Sequence, residues 1–94
     1  MPAENEIHYE VIHFSGHVQG VGFRYTALQL AREFEVAGYV QNLPDGRVRV
    51  EAEGDPREVD GLVAALEDRM HGYIRKVERA GGLRAPQFRG FGVR

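Results

Sequence analysis

The chain has 94 residues, of which 43% are hydrophobic and 28% charged, with a formal net charge of −2. This is one domain of ordinary globular composition. The charge lacks the basic surplus of a general nucleic-acid binder, and no apolar run nears the ~20 residues of a membrane helix. Cysteine is absent, which removes disulfides, thiolate metal sites and a cysteine nucleophile. The four histidines, His8, His13, His17 and His71, show no metal-ligand spacing, so no metal or other cofactor is expected.

Residues 1–6 are polar and acidic, unlike a secretory leader, and read as a flexible tail; the expected compartment is the cytoplasm. Ile7 to Ser15 is rich in β-branched and aromatic residues, with Ile12 and Phe14 on one face and Tyr9, Val11 and His13 on the other: a first strand. After a glycine-rich segment, Phe23, Ala27, Leu30, Ala31 and Phe34 form one apolar helical stripe, with Gly38 expected to close that helix. Tyr39 to Leu43 predicts a second strand, and Leu43-Pro44-Asp45-Gly46 a turn. Val48, Val50 and Ala52 alternate with Arg47, Arg49, Glu51 and Glu53, which gives a third strand whose charged face is solvated. Asp55 and Pro56 start a second helix as cap and first residue. Val59, Leu62, Val63, Leu66 and Met70 are its stripe, Asp60, Glu67 and Asp68 its polar side, and Gly72 its end. Tyr73 to Arg79 follows as strand, Ala80 to Gln87 as loop, and Phe88 to Val93 as a short last strand.

The resulting order, β-α-β-β-α-β with one more strand, has two helices and a sheet that each need one apolar face covered. The fold class expected is α+β: a two-layer, ferredoxin-like sandwich, with both helices on one side of a mostly antiparallel sheet. Residues 1–94 form a single domain in this reading.

Between the first strand and first helix lies Gly16-His17-Val18-Gln19-Gly20-Val21-Gly22-Phe23-Arg24. At a helix N-terminus the first N–H groups lack intrahelical partners and the dipole is positive. Glycines let such a backbone wrap an anion. Arg24 opposes the helix dipole where it stands, and a bound anion would supply the reason for it. The segment has neither a P-loop ending nor a dinucleotide glycine spacing. Glycine-rich turns of this kind also occur with no ligand, so the residues alone stop at an anion cradle.

Gly16-x-Val18-Gln19-Gly20-Val21-x-Phe23-Arg24 resembles the first signature of the acylphosphatases. Gly38-Tyr39-Val40-Gln41-Asn42-x-x-x-Gly46-x-Val48, followed after five residues by Gly54, is similar to their second. The C-terminal Phe88-Arg89-Gly90-Phe91-Gly92-Val93-Arg94 is similar to the closing strand of that family. The resemblance implies a ferredoxin-like fold and hydrolysis of acyl phosphates to a carboxylate and inorganic phosphate. It implies that the backbone of Gln19, Gly20, Val21, Gly22 and Phe23, together with Arg24, binds the phosphate, and that Asn42 positions the attacking water. Some members have a threonine directly after the asparagine. Leu43 stands there in this chain, which leaves the orientation of Asn42 to another group.

The partners expected are therefore a small acyl phosphate and its phosphate product, with no nucleic acid or membrane, acting on a monomer. Two other readings use the same scaffold. One is an anion-binding domain, as at the start of larger carbamoyl-transferring maturation proteins; the sequence reaches Arg94 without the zinc-finger and transfer regions found there. The other is an RNA-binding domain, which would display aromatic and basic residues on its open sheet face.

Overall fold

Residues 5–94 are described by the computed structural model. Of the expected tail, residues 1–4 lie outside that range, and Asn5 and Glu6 are exposed ahead of the first strand. The elements are β1 (Ile7–Gly16), α1 (Phe23–Ala31), β2 (Val36–Asn42), β3 (Val48–Gly54), α2 (Pro56–Arg69), β4 (Ile74–Arg84) and β5 (Phe91–Val93). They build one sheet in the order β4-β1-β3-β2-β5. Every neighbouring pair is antiparallel except β2 and β5.

Strand alternation sends Ile12 and Phe14 of β1, Val48 and Val50 of β3 and Val40 of β2 to one face, where each is fully buried. Ile12 lies opposite Val50 and Phe14 opposite Val48, so the register stacks them in rows. The α1 stripe Phe23, Ala27, Leu30 and Ala31 and the α2 stripe Val59, Leu62, Val63 and Leu66 close over the same rows in one continuous core. Both helices thus cover one face, the two-layer plan that amphipathic elements of this order favour. Asp55 caps α2 by accepting the Arg57 N–H at 2.9 Å, with Pro56 in the first turn.

Several local expectations are corrected. Helix α1 stops at Ala31, so Gly38 does not close it. Gly38 sits inside β2 at φ 149°, where any Cβ would collide with the Glu51 carbonyl of β3. Its missing side chain serves a close strand approach rather than a helix cap. Ala80 to Arg84, expected as loop, continue β4, and Gly81 and Gly82 pair with Glu10 and Tyr9. A Cβ on Gly81 would strike the Tyr9 carbonyl, so glycine here again permits pairing instead of breaking it. The last strand begins at Phe91, not Phe88. Gly72 lies in the turn after α2, which ends at Arg69. Gly61 makes room within α2 for the Phe34 ring, which a Cβ would overlap.

The face away from the helices is not simply solvated. Glu53 is only 2% exposed, and its carboxylate accepts the N–H groups of Gln87 at 2.8 Å and Phe88 at 2.7 Å. Arg84 pairs with Glu51 at 2.6 Å and lies 4.0 Å from the Tyr9 ring centroid. Phe88 meets Tyr39 edge-on, and the Arg94 guanidinium lies over Tyr39. The segment after β4 is therefore strapped across this face by a buried carboxylate and cation–π contacts. The Tyr9, Tyr39 and Phe88 rings that an RNA-binding face would need are already stacked with arginine or with each other.

Candidate active site

β1 leaves the sheet at a bulge between Ser15 and Gly16. Gly16 takes φ 130° where a Cβ would meet the Tyr73 carbonyl, and the next N–H, that of His17, donates to that carbonyl at 2.9 Å. The loop then turns twice through left-handed glycines, Gly20 at φ 78° and Gly22 at φ 83°. Side chains rarely adopt that conformation, and glycine does so without strain. Gly22 is the N-cap of α1; no side chain caps this end, and no acidic residue lies in its first turn. Among the described residues, none of the N–H groups from Gln19 to Tyr25 meets an acceptor. The sequence thus produces a concave row of free donors at the positive end of a helix.

That row forms one side of a cavity of about 420 Å³. Gly20, Gly22, Phe23 and Arg24 come from the loop and helix start, and Asn42 comes from the end of β2. Arg24 is exposed and has no hydrogen-bond or ion-pair partner among the described residues. Asn42 stands in register with Val48, which places it on the helix side of the sheet. Its Oδ1 is buried without a hydrogen-bond partner, and an orphaned buried acceptor is costly unless something donates to it. Among the described residues none replaces the threonine by bonding the Asn42 amide. The side chains of Val18, Tyr25, Leu28 and Val93 add apolar lining to the same cavity.

The sequence-predicted residues divide into two groups. Gly20, Gly22, Phe23, Arg24 and Asn42 line the cavity, whereas Gln19 and Val21 are not among its lining residues. The Gln19 side chain donates to the carbonyls of Leu43 at 2.8 Å and Arg47 at 3.0 Å, tying the loop to the β2–β3 hairpin. Val21 packs against the core. Leu28 and Val93 were not legible as site residues. Leu28 follows Arg24 by one helical turn, a spacing that could have marked it; Val93 arrives only through its parallel pairing with Val40. Tyr25 lines the cavity and is 68% exposed.

No carboxylate or imidazole lines the cavity, and among the described residues no cluster of His, Asp or Glu could hold a metal ion. The nearest hairpin charges are engaged elsewhere. Arg47 pairs with Asp45, and Arg49 donates to His13 Nε2 at 3.1 Å. Burial, then the charges of Arg47 and Arg49, hold the His13 imidazole below its ordinary range, so it stays a neutral acceptor. The site offers donors, one guanidinium and one amide, and nothing that serves as a strong base.

A family model described as acylphosphatase matches residues 10–93. An acylphosphatase of Archaeoglobus fulgidus is 50% identical over 56 residues, 60% of this chain and 63% of that relative. The match thus spans less than two thirds of the relative's length. The crystal structure of an acylphosphatase from Bacillus subtilis superposes with TM-score 0.79 at 29% identity, over 93% of this chain and 97% of that one. The structure of an acylphosphatase from Coxiella burnetii gives TM-score 0.78 at 28% identity, over 97% and 95% of the two chains. Fold, loop and sequence agree, and the chain belongs to the acylphosphatase family.

Proposed function

We propose that this protein hydrolyses the carboxyl–phosphate anhydride of small acyl phosphates, yielding a carboxylate and inorganic phosphate. One observation carries the reading: free N–H donors, an Arg24 unpaired among the described residues, and Asn42, whose Oδ1 is orphaned, line a single cavity. The loop N–H groups from Gln19 to Phe23 and the Arg24 guanidinium receive the phosphoryl oxygens. They are in place before substrate arrives, which is where electrostatic stabilisation is most effective. Asn42 Oδ1 accepts a hydrogen bond from water and holds its oxygen in line with the phosphorus.

The water oxygen bonds to phosphorus as the bond from phosphorus to the acyl oxygen breaks, and the acyl group departs as a carboxylate. Its conjugate acid has a pKa of about 4, so it leaves at neutral pH without a proton. A phosphoryl oxygen of the substrate takes one proton from the water, leaving dihydrogen phosphate in the cradle, which gives up a proton to solvent on release. A general acid and a strong base are both dispensable, in keeping with a lining that has neither.

No metal enters this scheme. Phosphate release from acetyl phosphate is expected to be unchanged in excess EDTA; dependence on added divalent metal would refute the mechanism. Binding of phosphate with no turnover of any acyl phosphate would instead favour the anion-binding reading. Among the described residues no helix is long and apolar enough to cross a membrane. Action as a cytoplasmic monomer is part of the proposal.

A further inference from the structure

A phosphate needs donors, yet much of the cavity wall is apolar. Of the large hydrophobic side chains left exposed among the described residues, Tyr25, Tyr73, Leu83 and Val93, two stand on this cavity: Tyr25 and Val93. Leu28 continues the same wall. It also lines a second cavity of about 210 Å³, whose other walls are Ala31, Val36, Phe91 and Arg32. The two cavities therefore adjoin through Leu28 and follow the seam between α1 and β5, away from the anion end. At 1.5 Å per residue, Ala31 lies about 10 Å along α1 from Arg24, roughly the extended length of an eight-carbon chain. Apolar side chains of two cavities that share Leu28, beside a polar anchor, are the form of a subsite for an amphiphilic ligand.

We propose that this trough is an acyl subsite, which selects acyl phosphates bearing an extended apolar chain of about six to eight carbons over short ones. The inference rests on the acyl phosphate reading above. With the phosphoryl group on the α1 N-terminus, the acyl chain leaves the cradle between Tyr25 and Val93. It lies along Leu28 and ends near Phe91. The contacts are remote from the reacting bond and equal in ground and transition states, so they act on KM and leave kcat nearly constant. Covering a methylene in an open trough is worth about two- to fourfold in affinity.

The test is a series of acetyl, butyryl, hexanoyl and octanoyl phosphates, with phosphate release corrected for spontaneous hydrolysis. The expected result is a stepwise fall in KM with chain length that levels off once the chain passes Phe91. Leu28→Ser and Val93→Ser should each flatten the series; Val93 is 46% exposed, so its variant does not depend on core repacking. Equal kcat/KM for acetyl and octanoyl phosphate, or a series that both substitutions leave intact, would overturn the subsite while the hydrolase activity stood. Hydrolysis of none of the four would overturn the activity and the subsite together.

Discussion

Single residues at the cavity are assigned different tasks, and the assignments separate in measurement. In the proposed mechanism Arg24 contributes charge and donors to the phosphate in every state of the reaction, so Arg24→Ala is expected to lose both phosphate binding and turnover. Asn42 is assigned to the water alone in that mechanism, so Asn42→Ala should keep phosphate affinity while kcat falls about 10²–10³-fold. Phosphate titration by calorimetry beside steady-state rates checks the split, and equal loss of binding in both variants would contradict it. These two residues were legible because each lies within a short contiguous pattern. Gln19 was legible as a loop member but not as a tether, since its acceptors are 24 and 28 residues away. No local pattern announces a bond of that separation.

Among the elements, helices and inner strands follow from apolar periodicity, and the misassigned stretches all involve glycine. Gly38 read as a helix end and Gly81-Gly82 as a loop because glycine usually punctuates. In the sheet it instead lets a neighbouring carbonyl come close, as the Glu51 and Tyr9 carbonyls do. Glu53 is the other surprise: alternation with Ala52 predicted a solvated carboxylate, and the segment after β4 buries it. That segment leads into β5 and so to Val93. Glu53→Ala would leave the Gln87 and Phe88 N–H groups without their acceptor, a loss of about 2–3 kcal/mol. Denaturant unfolding should register it, along with faster amide exchange at Gln87 and Phe88; unchanged exchange there would mean the strap is held by its aromatic contacts alone.

For the whole molecule, titratable groups inside the sheet layers govern how it tolerates acid. The Arg79 guanidinium beside Glu10, at 2.6 Å, holds that carboxyl below its ordinary value of 4.5 against the opposing effect of burial, with His8 assisting. Asp60 of α2 meets the same guanidinium. Glu10 therefore contributes stability that is present above the ordinary carboxylate range and is lost as pH falls through its lowered pKa. His13, also depressed, acts in the same direction from a higher starting point. Below about its ordinary 6.5 the unfolded chain takes up a proton that the folded one refuses. Thermal unfolding followed from pH 8 to pH 3 should show a decline beginning below 6.5 and steepening toward 4. His13→Gln should remove the first part and Glu10→Gln the second; a profile that neither alters would show that other groups control acid unfolding.

The three-residue β5 has a role beyond walling the cavity. It pairs with Gly38, Tyr39 and Val40, and bonds from the Gly38 N–H to Gly90 and from the Arg94 N–H to Val40 extend the seal. Beneath it lies Val36-Ala37-Gly38-Tyr39-Val40, a run with no charge and no proline. The sheet's other edge, β4, carries Arg75, Lys76 and Glu78, charges that discourage a foreign strand from docking. If β5 were displaced, the uncovered edge of β2 would offer a template on which a second molecule could add its own strand, the first step toward fibrous aggregation. In a concentrated solution, the hold of Glu53 on the C-terminal segment is then a determinant of shelf life.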